Sequence, residues 1–434
     1  MNRKRQVDAP RRAAYDALRR VSSQDAYANL VGPALLAERR ITGRDAGFAT
    51  ELLNGTCRLQ GTYDRIIATA SGRDPRKLQP TVLDVLRLGA HQLLSMRVPT
   101  HAAVTASVEL ARAAVGERVT GLVNAISRKV AARSLDDWIS MLSRECDATG
   151  ALALRTHHPR WIVEAYAELL PADELEAALH ANNTPPTTCL AIRPGLCTVD
   201  ELDAAGAEAH PQLPTAAYWK GNPGDLPAVR EGRAGVQDPG SQRVALALAR
   251  ADAPAGPWLD TCAGPGGKAA LLAGLAIQSG ERLLAAELQP HRARLVGQAL
   301  RAYTGENPPE VICADGTRPP WPMGHFARVM VDVPCTGLGS LRRRPESRWR
   351  RTPADLDALN PLQESLLHKA IDAAAPGGVI AYVTCSPHQR ETTAIVDAVL
   401  AARTDAGRDT ADTQLWPHRD GTDAMFCALL RKSH

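Results

Sequence analysis

The sequence predicts a multidomain protein with an all-α N-terminal domain, a small α+β connector and a C-terminal α/β domain containing a doubly wound parallel sheet. Three observations support this prediction. The 434 residues exceed the usual size of one hydrophobic core. Residues 1–135 show the apolar periodicity of helices, and residues 236–434 alternate short apolar runs with helical stretches. Residues 136–235, between them, mix both patterns.

Composition narrows the class of protein. Hydrophobic residues make up 44% of the chain, and no apolar run is long enough to cross a bilayer. No apolar segment follows the charged N-terminus, so we expect a cytoplasmic protein without a secretory signal. The nine cysteines are an odd number without a C-x-x-C pair, which argues against a disulfide framework and a metal site. A monomer without a membrane partner is expected.

Charge is distributed unevenly along the chain. Residues 1–135 contain 22 Lys+Arg and 11 Asp+Glu, whereas the remainder contains 29 and 36. A basic first third suggests a polyanionic partner such as nucleic acid, although a solvated helical surface explains the charge equally well.

The helical domain is predicted from apolar spacing. In "LQPTVLDVLRLGAHQLLSM" one helix face carries Val82, Val85, Leu86, Gly89 and Leu93. The segment "VPTHAAVTASVELAR", followed by "GLVNAISRKV", is similar to the last helices of NusB-like RNA-binding domains. That resemblance implies an RNA-binding role for this domain.

The connector, 136–235, is expected to be an α+β module that helps to bind RNA. It combines a strand candidate, "TTCLAIRP", with the helix candidates "RWIVEAYAELL" and "TVDELDAAGAEA". The next helix has Ser241 as its candidate N-cap, and the last domain begins there.

Five apolar runs predict the strands of the last domain: "PWLDTC", "RLLAAEL", "EVICAD", "ARVMVDVP" and "GGVIAYVTC". Their alternation with helices predicts a sheet of strand order 3-2-1-4-5, with ligands at the carboxyl ends of the strands. The strands ending at Asp332 and Thr384 are therefore neighbours, and Cys335 and Cys385 follow them closely.

The segment "LDTCAGPGGKAA" predicts a strand, a glycine turn and a helix from about Lys268. Gly264, Gly266 and Ala269 satisfy a G-x-G-x-x-A pattern, so a dinucleotide and S-adenosylmethionine both fit. A phosphate-binding P-loop is excluded, because Cys262 stands where its first glycine is needed.

Two acids close the following strands. Glu287 can chelate the hydroxyls of a ribose, and Asp315 can accept a hydrogen bond from an adenine amino group. Either acid alone is explained as a turn residue, but together they favour a nucleoside-containing cofactor.

The residues after Cys385 predict a helix start. Ser386 is the candidate N-cap, Pro387 fits the first turn and Gln389 completes a capping box. A helix N-terminus beside Cys385 is expected to lower the pKa of its thiol.

A thiolate, a second thiol and an acid beside a methyl donor suit one reaction. Carbon 5 of a pyrimidine accepts a methyl group only after a thiolate adds to carbon 6. An acid beside the nucleophile can hold N3 of the ring. Two unrelated buried cysteines are the simpler alternative.

Three segments, "DTCAGPGGKA", "DVPCTGLGSLRRRPESRW" and "YVTCSPHQRE", resemble motifs of bacterial RNA cytosine-C5 methyltransferases of the Sun/Fmu (RsmB) group in the NOL1/NOP2/Sun family. The resemblance implies a Rossmann-like catalytic domain in which Cys385 is the nucleophile, Cys335 assists product release and Asp332 supports the base. It implies an S-adenosylmethionine site lined by Cys262, Ala263, Gly264, Pro265, Gly266, Gly267, Lys268, Glu287, Asp315 and Asp332.

Departures from the family pattern are small. They are glutamate for aspartate at 287, threonine for serine at 336 and glycine for alanine at 264. Only the reach of the residue 287 carboxylate is put in doubt.

The basic segment "LRRRPESRWRR" follows the Cys335 loop, and its arginines and tryptophan suit phosphates and an unstacked base. The candidate RNA contacts are Arg342, Arg343, Arg344, Arg348 and Trp349. The expected substrate is a cytosine of 16S rRNA. Alternatives are a transfer RNA methyltransferase, a non-enzymatic NusB-like RNA-binding factor and a dinucleotide-dependent oxidoreductase.

Overall fold

The computed structural model describes residues 7–305 and 307–433. Contacts within the chain define two compact units. One contains the described residues up to Thr184 together with Leu341–Arg351, and the other contains Pro185–Ser340 and the described residues from Thr352 onward. We call them the helical unit and the catalytic unit. The predicted boundaries at 135 and 235 stay a prediction.

The helices are α1 Ala9–Ser23, α2 Ala28–Glu38, α3 Gly43–Ser71, α4 Pro80–Leu94, α5 Thr100–Ala114, α6 Thr120–Val130, α7 Leu135–Ser143, α8 Ala148–Thr156, α9 Arg160–Ala167, α10 Ala172–Ala181, α11 Val199–Ala204, α12 Pro227–Arg230, α13 Pro239–Arg250, α14 Gly267–Gln278, α15 Pro290–Leu300, α16 Ser347–Arg350, α17 Ala354–Ala373, α18 Thr393–Ala401 and α19 Pro417–Asp420.

The strands are β1 Thr188–Ile192, β2 Glu208–Ala209, β3 Ala216–Trp219, β4 Ala234–Val236, β5 Trp258–Asp260, β6 Leu283–Glu287, β7 Glu310–Cys313, β8 Phe326–Asp332, β9 Ala374–Thr384, β10 Ala406–Arg408, β11 Thr413–Gln414 and β12 Phe426–Lys432.

The helical unit contains α1–α10 and α16. The apolar spacing predicted for α4 is confirmed, since Val82, Val85 and Leu86 are buried on the face that packs into the core. Pro80 lies in the first turn of α4. Proline is tolerated there because the backbone N–H groups of a first turn have no partner within the helix. The all-α character expected of the N-terminal region is therefore confirmed.

The catalytic unit holds both sheets. The smaller one is antiparallel in the order β2-β3-β1-β4, and the predicted strand "TTCLAIRP" supplies β1. The larger one has the order β10-β12-β9-β8-β5-β6-β7. Its five parallel strands β7-β6-β5-β8-β9 follow the predicted order 3-2-1-4-5, which confirms the Rossmann-like fold. The antiparallel strands β10, β11 and β12 extend the sheet beyond the prediction.

Cores on both faces of the large sheet explain the continuous apolar runs. Along β9, Val379 and Ala381 face one cluster of buried residues, whereas Ile380 and Tyr382 face the other. Strands buried on both faces lose the apolar–polar alternation of half-exposed strands. Among the described residues, no helix is long and apolar enough to cross a membrane.

The N-cap predicted for α13 is wrong by three residues. Asp238, rather than Ser241, accepts the hydrogen bond from the Gly240 backbone N–H at 2.8 Å. Pro239 then occupies the first position of the helix, which suits its fixed φ.

Candidate active site

The two predicted site thiols lie at the ends of neighbouring strands. In the parallel pairing of β8 with β9, Asp332 is opposite Val383, so both strands deliver their C-terminal residues to the same edge. The Sγ atoms of Cys335 and Cys385 are 3.3 Å apart. The predicted convergence of these residues is thus present in the fold.

The surroundings of Cys335 disfavour its ionisation. Its hydrogen bond with Cys385 and its burial raise the pKa of Cys335 well above the usual value, and the Glu391 and Asp332 carboxylates add to the effect. A thiol held in this way can donate to a neighbouring sulfur.

A half-buried ion pair lies near the thiols. Lys268 Nζ, in the first turn of α14, lies 2.8 Å from Asp332 Oδ2 at the end of β8. Burial acts to lower the pKa of Lys268, but Asp332 and, more weakly, Cys385 outweigh it, so the pKa is raised. Lys268 therefore carries its positive charge close enough to Cys385 to interact with it electrostatically.

Glu391 fixes the loop that bears Cys335. Its side chain is completely buried, and its carboxylate accepts hydrogen bonds from the Thr336 backbone N–H at 2.8 Å and from the Thr336 hydroxyl. Gln363 Nε2, on α17, donates to Glu391 Oε1 at 3.1 Å and to the Pro334 carbonyl at 2.8 Å. The residues on both sides of Cys335 are therefore held.

The loop that bears Cys385 is tied to the same network. The Thr336 and Ser386 hydroxyls are 3.2 Å apart, and the Gly339 N–H donates to the Cys385 carbonyl at 2.9 Å. A Cβ added at Gly339 would lie 1.9 Å from the Ala424 carbonyl oxygen, so only glycine permits this approach. The two thiols are positioned by contacts between their loops.

The helix predicted to start at Ser386 is not formed there. Residues Gln389–Glu391 form a 3₁₀ turn, and α18 begins at Thr393. Ser386 instead bonds locally with Thr384, whose hydroxyl donates to the Ser386 carbonyl at 2.8 Å. The argument that a helix dipole activates Cys385 is therefore wrong, and the nearby cation is Lys268.

The glycine turn after β5 has the predicted form. Gly264 and Gly266 have φ values of 59° and 92°, and α14 begins at Gly267. Glu287, at the end of β6, accepts the Gly264 N–H at 2.9 Å and the Gln289 N–H at 3.0 Å. In this structure Glu287 organises the turn beside it.

The remaining residues predicted to line the S-adenosylmethionine site differ in their burial and hydrogen bonding. Ala263 is buried and its N–H donates to the Ala286 carbonyl at 2.9 Å, whereas Pro265 is exposed. Burial raises the pKa of the Cys262 thiol to about 12, so this cysteine is not a reactive thiolate. Asp315 accepts the Thr317 N–H at 2.9 Å, and its pKa is lowered by hydrogen bonds from the Thr317 hydroxyl and backbone.

Asp260 was not among the predicted site residues. It is 1% exposed, its Oδ1 accepts the Cys262 N–H at 3.2 Å, and its Oδ2 is buried without a partner among the described residues. Burial first and the Asp332 charge second raise the pKa of Asp260 to about 7. An orphaned acceptor at the end of the central strand is suited to a ligand that carries N–H groups or positive charge.

The basic segment after the Cys335 loop packs within the helical unit. Arg348 is 0% exposed, and its guanidinium donates to the backbone carbonyls of His157 and Asn182 and to Asn183 Oδ1 at 2.7–3.1 Å. The prediction that Arg348 contacts RNA is contradicted by this burial, since these donors already have protein acceptors.

Trp349 also packs inside the helical unit. Its indole N–H donates to the Cys57 carbonyl at 2.9 Å, and its ring lies against α3 where Gly61 leaves room. Arg342 is buried and Arg343 is half-buried, whereas Arg344 is exposed, with its guanidinium 4.8 Å from the centre of the Tyr27 ring. Of the five predicted RNA contacts, Arg344 is the exposed one.

Residues 7–305 and 307–433 contain no group of three or more His, Cys, Asp and Glu side chains that could hold a metal ion. The nine cysteines are free thiols.

Comparison with known families matches both ends of the chain. Residues 245–431 match the family model described as 16S rRNA methyltransferase RsmB/F, and residues 8–132 match that of the NusB family. A Mycobacterium tuberculosis protein provisionally named as a methyltransferase is 48% identical, covering 99% of this chain and 98% of its own. The ribosomal RNA small subunit methyltransferase B of Pseudomonas putida is 31% identical, covering 98% of each chain.

Among solved structures, the crystal structure of PH0851 superposes with a TM-score of 0.83 over 98% of both chains, at 20% identity. This likeness supports the fold alone. Taken with the family matches and the full-length relatives, the expected resemblance is confirmed: the chain belongs to the RsmB/F family of 16S rRNA methyltransferases and carries a NusB-family region at its N-terminal end.

Proposed function

We propose that this protein methylates carbon 5 of a cytosine in RNA, with S-adenosylmethionine as methyl donor and 16S rRNA as substrate. One observation carries the proposal. Two thiols lie 3.3 Å apart at neighbouring strand ends, near the half-buried Lys268–Asp332 ion pair. Pyrimidine C5 methylation needs a nucleophilic thiol and a group that assists its departure, and this pair offers both.

The donor set at the strand ends fits the cofactor. S-adenosylmethionine is a cation with a ribose diol and an amino group, and the carboxylates of Asp260, Glu287, Asp315 and Asp332 end four neighbouring strands or follow them closely. The orphaned Asp260 Oδ2 is an acceptor for such a ligand. The residues assigned to hold it are Cys262, Ala263, Gly264, Pro265, Gly266, Gly267, Lys268, Glu287, Asp315 and Asp332. When bound, the cofactor supplies an electrophilic methyl group.

Cys385 is assigned as the nucleophile because its motif, "YVTCSPHQRE", resembles that of the RNA cytosine-C5 methyltransferases. The Lys268 charge favours a thiolate nearby. Addition of Cys385 Sγ to C6 converts the C5–C6 double bond into an S–C6 bond and leaves C5 nucleophilic. Asp332 is assigned to support the base by carrying a proton to N3, which neutralises the negative charge that develops there when the thiolate adds to C6.

Cys335 is assigned to product release, in which the C5 proton leaves and the S–C6 bond breaks. While Cys385 is free, its hydrogen bond and charge raise the pKa of Cys335. Once Cys385 Sγ is bonded to C6 it carries no charge and accepts a hydrogen bond only weakly, so we expect the pKa of Cys335 to fall. Cys335 is therefore deprotonated more readily once the adduct has formed, and its thiolate can then accept the proton that leaves C5.

The test uses deproteinised small-subunit RNA, S-adenosylmethionine and three proteins: wild type, Cys335→Ala and Cys385→Ala. Covalent RNA–protein complexes are resolved on a denaturing gel, and methylated cytosine is measured in the RNA. Cys427→Ala is the matched control, because Cys427 is a buried thiol on β12.

We expect Cys335→Ala to accumulate an RNA-linked band that Cys385→Ala cannot form, while Cys427→Ala behaves as wild type. A band that depends on Cys335 instead would reverse the two assignments. If none of the proteins modifies this RNA, the same set is incubated with transfer RNA, and methylation there would favour the alternative substrate. Binding of RNA without methylation of either would favour a non-enzymatic RNA-binding factor.

A further inference from the structure

Arg193 is a buried arginine whose guanidinium has no hydrogen-bond partner among the described residues. It follows β1 and is 9% exposed. Its guanidinium makes no hydrogen bond or ion pair with another described residue, and Nη1 is fully buried. Buried charges are ordinarily paired, because an unpaired one loses its hydration without compensation. The described residues therefore do not account for the burial of the Arg193 charge.

A second guanidinium stands beside it. Arg301, just after α15, is exposed and donates to the carbonyls of Gln298 at 2.8 Å and Arg230 at 2.6 Å. A Cβ placed on Gly232 would lie 3.0 Å from Arg193 Nη1 and 3.1 Å from Arg301 Nη1. Gly232 has a φ of 82° and lacks the atom that would push the two guanidiniums apart.

Within the part of the chain that the structure describes, no carboxylate offsets the repulsion between these two charges. Burial lowers the pKa of Arg193 most, Tyr303 acts in the opposite direction, and the charge of Arg301 lowers the pKa further. The neighbouring Arg233 differs, because it forms ion pairs with Glu201 at 2.6 Å and with Glu231 at 2.7 Å. Arg193 and Arg301 are thus adjacent and lack a counterion among the described residues, although Arg233 beside them has two. This contrast suggests that a bound anion balances the charges of Arg193 and Arg301.

We propose that Arg193 and Arg301 form a binding site for a backbone phosphate of the RNA substrate. Guanidinium groups bind phosphate oxygens with paired N–H donors, and two of them around one phosphate neutralise its charge. The site combines the end of the small-sheet strand β1 with the helix α15 of the Rossmann-like sheet. The choice of RNA as the source of the phosphate rests on the proposed function.

The test compares wild type with Arg193→Gln and Arg301→Gln, and uses Arg233→Gln as the matched control. Arg301 is exposed, so its variant stays informative if Arg193→Gln folds poorly. In the first measurement, thermal unfolding is followed in inorganic phosphate and in chloride at equal ionic strength. In the second, binding of deproteinised small-subunit RNA is measured over a series of salt concentrations.

We expect phosphate to raise the unfolding temperature of wild type and Arg233→Gln more than that of the Arg193 and Arg301 variants. For RNA, losing one phosphate contact should flatten the slope of log K against log salt by about 0.7 to 0.9. The proposal is overturned if wild type binds RNA and neither variant changes the slope relative to Arg233→Gln.

The phosphate measurement separates this proposal from the function on which it rests. If wild type binds no RNA but is stabilised by phosphate through Arg193, the anion site stands and the RNA substrate is wrong. If phosphate raises the unfolding temperature of all four proteins equally and RNA does not bind, the anion site and the proposed RNA substrate are both wrong.

Discussion

Cys335 and Cys385 are fifty positions apart in the chain, yet their sulfur atoms lie 3.3 Å from each other. The proximity follows from the parallel pairing of β8 with β9, which brings both strands to one edge of the sheet. It makes the ionisation of each thiol depend on the other.

The first prediction concerns the reactivity of Cys335. Its hydrogen bond with Cys385 is the largest of the effects that raise the pKa of Cys335. In Cys385→Ala the pKa of Cys335 should fall, so the pH profile of its alkylation by iodoacetamide should shift to lower pH. Mass spectrometry of the Cys335 peptide measures the rate. An unchanged profile would mean that burial alone raises the pKa.

The second prediction assigns Glu391 a positioning role. Glu391→Ala leaves the Thr336 N–H, the Thr336 hydroxyl and Gln363 without their buried acceptor. We expect the catalytic unit to lose about 2 to 4 kcal/mol of unfolding free energy in urea. Glu364→Gln, next to Gln363 on α17, is the control and should change the unfolding free energy by less than about 0.5 kcal/mol.

The milder substitution Glu391→Gln separates positioning from stability. Its amide can still accept one hydrogen bond but holds Thr336 less firmly. If Glu391 orients the Cys335 loop, the folded variant should accumulate the RNA-linked adduct with little change in KM. A folded Glu391→Gln protein that turns over as wild type does would restrict Glu391 to stability.

The third prediction concerns Asp260 and pH. Its pKa is raised to about 7 in the folded state, so folding favours the protonated carboxyl. The resulting stabilisation is complete below the unfolded pKa of about 4 and is lost as pH rises through about 7. The full shift corresponds to an upper limit on the order of 4 kcal/mol.

Asp260→Asn removes this titration while keeping the shape of the side chain. The unfolding free energy of wild type, relative to the variant, should fall between about pH 4 and pH 7 and level off above that range. Urea unfolding across that range measures the difference. A difference that does not vary with pH would show that Asp260 ionises normally in the folded protein.

The fourth prediction distinguishes packing from RNA contact in the basic segment. Arg348→Ala leaves two backbone carbonyls and the Asn183 side chain without their buried donor. We expect the helical unit to lose more than about 3 kcal/mol of unfolding free energy. Arg344→Ala, at an exposed side chain, should cost less than about 1 kcal/mol, and equal small effects would argue against the packing role.

Much of the catalytic unit was predictable because its motifs are local. A strand followed by glycines, as at Gly264 and Gly266, specifies a turn from backbone sterics alone. Alternating apolar runs then imply a parallel sheet, and the sheet brings Asp332, Cys335 and Cys385 to one edge. The antiparallel strand β12 was missed, since an apolar run does not reveal the direction of its partner.

Residues that act through distant contacts were not predicted. Glu391 lies within the quoted motif "YVTCSPHQRE", but its role depends on Thr336 and Gln363, which come from two other elements. Asp260 was visible as the acid before the glycine turn, yet its raised pKa is a consequence of burial. The cap predicted at Ser386 failed because side-chain bonds with Thr384 and Thr336 hold that residue outside a helix.

The sequence by itself determined which residue types stand at each strand end and hence the family, the fold class and the chemistry that these groups can perform. Tertiary structure alone decided which of them touch and which are buried. It placed the guanidinium of Arg348 inside a core rather than on a surface, and it left Arg193 and Arg301 side by side without a carboxylate. Spacing along a chain encodes local geometry, whereas burial and charge pairing depend on segments that only folding brings together.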